Sequence, residues 1–150
     1  PSISASEAVA ELPNLMFEAR SAKDYAWFDV ACFLTYKVLS GELSVRVRFA
    51  GFGKEEDEWV RVKTDIRERS VPVEPSECNK IDIGDRIICF RDSADHALYY
   101  DARVVEIERN LHDSTRCACI FLVHYDIDNF EEKVELEKIC RRPNKVDTKS

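Results

Sequence analysis

Residues 25–30 read YAWFDV and residues 98–103 read LYYDAR, and the two stretches contain the same pattern. In each, two aromatic residues are followed by an aspartate and an aliphatic residue: Trp27-Phe28-Asp29-Val30 and Tyr99-Tyr100-Asp101-Ala102. A pattern that recurs at long spacing indicates that one small structural unit is built twice.

The runs of strand-forming residues around these stretches also match. ELSVRVRF at 42–49 alternates apolar and polar side chains, as expected of a strand with one buried face. The first half has runs at 17–20, 27–39, 42–49 and 58–62, and the second half has runs at 85–90, 99–108, 117–125 and 134–136. Residues 139–143 end the second half as residues 66–70 end the first. Five short strands in about 60 residues are typical of a small SH3-like barrel.

We therefore predict an all-β fold of two tandem SH3-like, Tudor-like barrels packed together. The first barrel is expected at residues 16–72 and the second at 73–143, with 72–77 as the link. Residues 1–15 and 144–150 are expected to be flanking arms, with a short helix or arm at 1–12 and a disordered tail.

The composition narrows the class of protein. The 150 residues are 45% hydrophobic and 34% charged, which is typical of a globular chain. A net charge of −7 disfavours direct binding of nucleic acid and favours basic partners such as lysine-rich tails. No apolar run approaches the ~18 residues that a membrane helix needs, so we expect no membrane partner.

The cysteines are expected to be reduced. The sequence PSISASEAVAELP at the start has neither the basic start nor the long apolar run of a secretory signal. The six cysteines are therefore interpreted as intracellular thiols, some of them candidate metal ligands, rather than as a disulfide framework.

Three motifs of the first half resemble those of a Tudor or chromo-type barrel. They are Trp27-Phe28-Asp29-Val30, Phe49-Ala50-Gly51-Phe52 and Glu58-Trp59-Val60. Methylation of an ammonium group removes N–H donors and weakens its hydration, so aromatic faces become its best host. Each face within about 6 Å contributes roughly 0.5–2 kcal/mol by cation–π attraction.

The places of the aromatic residues in the predicted strands and turns indicate which of them form the cage. Phe52 follows Gly51 in a polar turn, where a buried ring is hard to justify. Phe28 and Trp27 point to opposite faces of one strand, and the bulkier Trp27 is the better core residue. Phe49 continues the apolar face of its strand, so core packing alone would also explain it. We predict a methyl-lysine cage of Phe28, Phe49 and Phe52.

Longer stretches together resemble the SAWADEE domain of plants over residues 16–143. They are residues 17–30, 45–49, 57–60, 73–78, His112-Asp113 with Cys117 and Cys119, and residues 139–143. The resemblance implies a tandem Tudor-like pair with a bound zinc. It also implies a histone H3 tail as ligand, methylated on its ninth-position lysine and unmodified on its fourth.

The resemblance assigns further roles. Glu18 and Asp29 match the acidic residues that hold the unmodified lysine, whose three N–H donors suit carboxylate acceptors. The implied biological role is recruitment of RNA polymerase IV for small-RNA production in RNA-directed DNA methylation. The implied localisation is nuclear.

A zinc site is expected in the second barrel. His112, Cys117 and Cys119 lie at a predicted hairpin tip, and the two cysteines would share one face of a strand. Tetrahedral zinc needs a fourth ligand, for which we choose Cys78, with Cys140 as the alternative. A closed site of three cysteines and one histidine would be structural and would stabilise the hairpin.

Other functions remain as alternatives. No glycine-rich phosphate loop or nucleophile elbow is present, and His124 is interpreted as a core histidine, so we expect no enzyme. A barrel pair that binds methylarginine peptides, or nucleic acid through a basic strip, is the main alternative. That strip would comprise Arg46, Arg48, Arg61 and Lys63. A purely structural module for protein contacts is the third possibility.

Overall fold

The computed structural model describes residues 16–92, 97–111 and 113–143. Nearly all regular structure in these ranges is β-strand, which confirms the expected all-β class. Helical structure is short: one α-helical turn at Val62–Asp65 and 3-10 turns at Lys54–Glu56, Pro75–Lys80 and Leu136–Lys138. The arms predicted at 1–15 and 144–150 lie outside the described residues.

Within the described ranges, no helix has both the length and the apolar character needed to cross a membrane.

The chain divides into two compact units between Arg69 and Ser70, three residues before the predicted boundary. The reason is strand β6 (Val71–Pro72), which pairs with β11 (Ile139–Arg141) of the second unit. The predicted link at 72–77 therefore begins in a strand and continues into a 3-10 turn. Glu74 and Glu77 stabilise the start of that turn by reciprocal capping hydrogen bonds.

The first unit is built from five antiparallel strands. They are β1 (Phe17–Arg20), β2 (Trp27–Leu39), β3 (Glu42–Phe49), β4 (Glu58–Arg61) and β5 (Ile66–Glu68). Strands β2, β3 and β4 pair in that order, and β1 pairs with both β2 and β5. Two register shifts bend β2, which lets a long strand serve both halves of a small barrel. The core consists of Val45, Val47 and Phe49 from the alternating face of β3, together with Ala19 of β1 and Val60 of β4.

The second unit follows the same plan. Besides β6 and β11 it contains β7 (Arg86–Asp92), β8 (Ala97–Glu108), β9 (Ile120–Tyr125) and β10 (Glu131–Glu135). Strand β8 pairs with β7 and β9, β10 pairs with β9, and β11 pairs with β7. The largest fully buried side chains include Tyr125, Phe121 and Ile88.

The repeated aspartates occupy equivalent backbone positions. In the first unit the amide of Ala50 donates to the carbonyl oxygen of Asp29, at 2.9 Å. In the second unit the amide of Asp126 donates to the carbonyl oxygen of Asp101, at 3.1 Å. The sequence repeat thus corresponds to one backbone contact made twice, which ties the end of the third strand to the second.

One predicted strand begins later than expected. The apolar run 117–125 becomes β9 only from Ile120 onward, so Cys117 and Cys119 precede the strand. Their shared direction therefore comes from the folded loop rather than from strand alternation.

Candidate functional site

The first unit brings Phe28, Phe49 and Phe52 together in one ring cluster. The ring centroids are 5.5 Å apart for Phe28 and Phe49, 5.7 Å for Phe28 and Phe52, and 6.5 Å for Phe49 and Phe52. All three pairs meet edge to face, so the faces are not stacked against one another. A tight turn makes this possible: Gly51 adopts φ 84°, and the amide of Phe52 donates to the carbonyl of Phe49 at 3.1 Å.

The three rings differ in burial. Phe49 is only 3% exposed and packs with Val47 in the core, so it forms the floor of the cluster. Phe28 is half-buried, and Phe52 is 46% exposed at the rim. Phe49 therefore belongs both to the core and to the ring cluster. Phe52 is the most exposed of the three rings and contributes least to core packing.

A small cavity of about 80 Å³ lies against the ring cluster, and its other lining is polar. The polar residues are Ser21, Lys23, Asp24, Glu56 and Glu58. Three carboxylates thus face one ammonium group, which leaves the mouth with net negative charge. A cation with an apolar shell would meet rings below and carboxylates at the rim.

Hydrogen bonds hold this rim in place. Glu58 accepts from the Ser21 hydroxyl at 2.6 Å and from the Ala22 amide at 3.0 Å. Lys23 pairs with Glu56, and that hydrogen bond raises the pKa of the Lys23 ammonium. Sequence reasoning missed Lys23 because no spacing pattern connects a residue before β2 with one before β4.

Glu18 and Asp29 are direct cross-strand partners on β1 and β2. Each is paired with an arginine that sequence reasoning missed. Glu18 is 4% exposed, and its carboxylate accepts from Arg67 Nε at 2.7 Å. Asp29 Oδ2 lies 3.1 Å from Arg69 Nη2, and both side chains are partly solvent-accessible. Asp29 can therefore exchange its partner more readily than Glu18.

Asp29 and Phe28 are neighbours on β2 and point to opposite faces. The ring cluster and the acidic pair are consequently separated by the thickness of one strand. A single extended ligand would have to pass over the edge of the first unit to reach both.

A thiol cluster lies in the second unit, formed by Cys78, Cys117 and Cys119. Their sulfur atoms lie within 4.8 Å of one another, with Cys78 and Cys117 3.2 Å apart. The loop before β9 and the 3-10 turn Pro75–Lys80 bring the three residues together. Zn–S bonds of about 2.3 Å would separate tetrahedral ligands by roughly 3.8 Å, so this all-sulfur donor set fits zinc.

Neighbouring donors point at these sulfurs. The Asn110 amide donates to Cys119 at 3.5 Å, and Arg109 Nη1 donates to Cys78 at 3.3 Å. Burial raises the pKa of Cys78 to about 12. Burial also opposes ionisation of Cys119, but hydrogen bonds from Asn110 and the neighbouring thiols outweigh it and lower that pKa to about 7.

The alternative ligand Cys140 lies on β11, opposite Ile88 and Pro72, and is not part of the thiol cluster. The other predicted ligand, His112, lies outside the described residues. Three cysteines that could hold a metal ion are therefore in place.

The second unit has a similar pair of aromatic rings, but a cationic side chain of the same unit lies over them. Tyr125 ends β9 as Phe49 ends β3, and Phe130 lies in the following turn as Phe52 does. The two rings are stacked with centroids 6.4 Å apart, and the Arg91 guanidinium carbon lies 4.7 Å from Tyr125 and 4.8 Å from Phe130. Asp128 holds Arg91 at 2.9 Å. A cation of the chain itself already occupies these rings.

The basic strip predicted on the outer face is partly neutralised. Arg48 donates twice to Asp57, at 3.0 and 2.8 Å, and these bonds lower the pKa of Asp57. Arg61 lies 4.0 Å from Glu42. Arg46 lies over the Trp59 ring at 6.0 Å. The strip is thus neutralised at Arg48, whereas the ring contact of Arg46 leaves its positive charge in place.

The comparisons with known proteins agree with this architecture. The family model of the SAWADEE domain matches residues 13–140. The chain is 58% identical over 135 residues to the Arabidopsis thaliana Protein SAWADEE HOMEODOMAIN HOMOLOG 1. That match covers 89% of this chain and 52% of the relative, so the chain spans about half of the relative's length.

Two crystal structures of the SHH1 SAWADEE domain are similar at 60% identity. A selenium-substituted mutant of the Arabidopsis thaliana domain has a TM-score of 0.84 and covers 87% of this chain and 98% of that domain. The domain in complex with an H3K9me3 peptide has a TM-score of 0.83, with 86% and 98% covered. With its two β-units, ring cluster and thiol cluster, this chain belongs to the SAWADEE domain family.

Proposed function

We propose that this chain reads the histone H3 tail methylated at its ninth-position lysine. The observation that carries the proposal is the ring cluster of Phe28, Phe49 and Phe52, with centroids 5.5–6.5 Å apart beside a small acidic-rimmed cavity. The related SHH1 domain in complex with an H3K9me3 peptide supports the same ligand. The chain acts by binding, without catalysis.

The chemistry of the site suits a methylated ammonium group. Two or three ring faces at roughly 0.5–2 kcal/mol each would favour a poorly hydrated cation over ordinary lysine. The acidic rim and the net charge of −7 would speed the encounter with a basic tail. We expect micromolar affinity, about −7 to −8 kcal/mol, because a short flexible peptide must be ordered on binding.

The acidic pair on β1 and β2 is proposed to read the unmodified fourth-position lysine. The exposed Asp29 carboxylate would accept from the ammonium group in exchange for Arg69. Glu18, held by Arg67 in a nearly buried position, would add negative charge beside it. Methylation of that lysine would remove the N–H donors that this arrangement needs.

Zinc is proposed to be held by Cys78, Cys117 and Cys119, with His112 as the fourth ligand. A four-coordinate site with no open position would stabilise the loop before β9. For the cellular context we propose a nuclear protein that recruits RNA polymerase IV in RNA-directed DNA methylation, and membership of the SAWADEE family supports this proposal.

Phe52→Ala should weaken binding of the methylated H3 peptide by about tenfold or more, because one cation–π face is lost without opening the core. Isothermal titration calorimetry with methylated and unmodified peptides measures this. Tyr36→Ala, which truncates an aromatic residue that is 72% exposed on β2, is the control and should bind as the parent does. Equal affinity of the parent for both peptides would refute the cage.

Asp29→Asn should abolish discrimination at the fourth-position lysine, because the amide cannot attract an ammonium group as a carboxylate does. Calorimetry would compare two peptides methylated at position nine, one unmodified and one trimethylated at position four. The parent should prefer the unmodified one. Asp101→Asn, at the equivalent position of the second unit, should keep that preference; its loss in this control too would contradict the assignment.

Purified chain should contain about one zinc ion, and Cys117→Ser should remove it, since structural zinc needs all four ligands. Elemental analysis measures the metal, and thermal unfolding with a chelator measures its contribution to stability. Cys32→Ser, at an exposed thiol of the first unit, should change neither. A metal-free parent of unchanged stability would disprove the site.

Arg91→Ala should open a second cation site, because the Tyr125 and Phe130 rings then lose their internal guanidinium. Titration with tetramethylammonium, followed by NMR of the aromatic rings, should shift Tyr125 and Phe130 in this variant. The parent should show no such shifts, nor should Arg86→Ala on the same strand. Unchanged Tyr125 and Phe130 signals in Arg91→Ala would show that the arginine does not block the rings.

A further inference from the structure

The second unit contains a cavity of about 390 Å³ that neither the ring cluster nor the thiol cluster uses. Four cationic side chains line it, Lys80, Arg86, Arg141 and Arg142, against two carboxylates, Glu77 and Asp85. The excess positive charge is unexpected in a chain with a net charge of −7. A local excess of positive charge in an acidic chain indicates a binding site for an anionic ligand.

Arg141 is the least satisfied of these cations. Its Nε is buried and has no hydrogen-bond partner among the described residues. Its Nη2 lies 3.7 Å from Glu77, beyond hydrogen-bonding distance, and its Nη1 reaches the Arg142 carbonyl only at 3.5 Å. A buried N–H donor without an acceptor lowers the stability of the fold. A ligand that accepts a hydrogen bond from this guanidinium would recover that free energy on binding.

The two carboxylates offset only part of the positive charge of the four cations that line the cavity. Glu77 lies between Lys80 and Arg141, at 3.8 and 3.7 Å, and contacts neither at hydrogen-bonding distance. Asp85 accepts from the Asp82 amide at 2.9 Å. Two of the cations have partners outside the carboxylates of the lining: Arg142 donates to the Ser70 hydroxyl at 2.7 Å, and Arg86 pairs with Asp126. The cavity thus offers positioned donors, and among them is a guanidinium whose buried Nε has no acceptor among the described residues.

The lining also selects the ligand class. Arginine binds tetrahedral oxyanions through two parallel N–H donors, and several cations on separate elements suit a group with several oxygens. A dianion gains more from the excess positive charge than a single carboxylate does. The rest of the lining is aliphatic or proline, without an aromatic ring on which a nucleobase could stack.

We propose that this cavity binds the phosphate group of a phosphorylated serine or threonine side chain of a peptide. Arg141 is the principal donor, supported by Lys80 and Arg142. The aliphatic lining contacts the peptide part of the ligand. The site is independent of the methyl-lysine cage, which belongs to the first unit.

The test is an NMR titration of the isotopically labelled chain with blocked phosphoserine, inorganic phosphate and blocked aspartate. Blocked phosphoserine should give saturable shifts at the Arg141 Nε–H and at the amides of Ile81 and Ile87. Inorganic phosphate should bind more weakly because it lacks the peptide part, and blocked aspartate most weakly. Arg141→Gln should weaken phosphoserine binding by about tenfold.

Two further variants complete the test. Arg103→Gln removes a positive charge from the neighbouring β8 outside the cavity and should bind as the parent does. Lys80→Gln, at a side chain that is 72% exposed, cannot disturb the core and should weaken binding about threefold. Equal affinity for inorganic phosphate would overturn the phosphopeptide assignment. Absence of saturable shifts, or binding unaffected by both Arg141→Gln and Lys80→Gln, would overturn the site itself.

Discussion

Phe49 belongs to the hydrophobic core and to the ring cluster at the same time, and this double membership constrains the whole first unit. Its ring packs with Val47 on the buried face of β3, so it cannot move without disturbing the barrel. The turn that follows is tied back to it by the Phe52 amide. The core therefore keeps the binding surface rigid. A rigid surface loses less conformational entropy when a peptide binds.

The second unit has a similar strand arrangement but different side chains at the corresponding ring positions. Tyr125 ends its strand as Phe49 does, and Phe130 lies in the following turn as Phe52 does. Arg91, however, lies over both of these rings, and Asp128 holds it there. A guanidinium over two rings satisfies the same cation–π attraction that a methylated lysine would. One copy of the repeat is thus open to an external cation, and the other stabilises its own fold.

The carboxylates of the first unit differ in their partners and in their burial, and these differences indicate different roles. Glu18 and Arg67 form a nearly buried pair, and Arg67 also lies 3.7 Å over the Trp27 ring. Asp29 and Arg69 form an exposed pair, which water and ions screen. Glu58 is fixed by a hydroxyl and an amide at the rim of the ring cluster. Burial therefore separates structural carboxylates from those that can change partners.

The sequence by itself determined the features that depend on local pattern. Alternation in residues 42–49 predicted β3 and its buried face, the repeated aromatic-aromatic-aspartate motif predicted two β-units, and Gly51 before Phe52 predicted an exposed ring in a turn. These follow because strand period and turn conformation are properties of neighbouring residues.

Only the tertiary structure decided the contacts between remote residues. These contacts are the grouping of Cys78, rather than Cys140, with the other cysteines, the arginine partners of Glu18 and Asp29, and the placement of Arg91 over two rings. All of them depend on packing across strands. The same holds for β6, whose two residues join the second unit by pairing with β11. No local pattern encodes such contacts, because side chains far apart in the chain meet only when the barrels close.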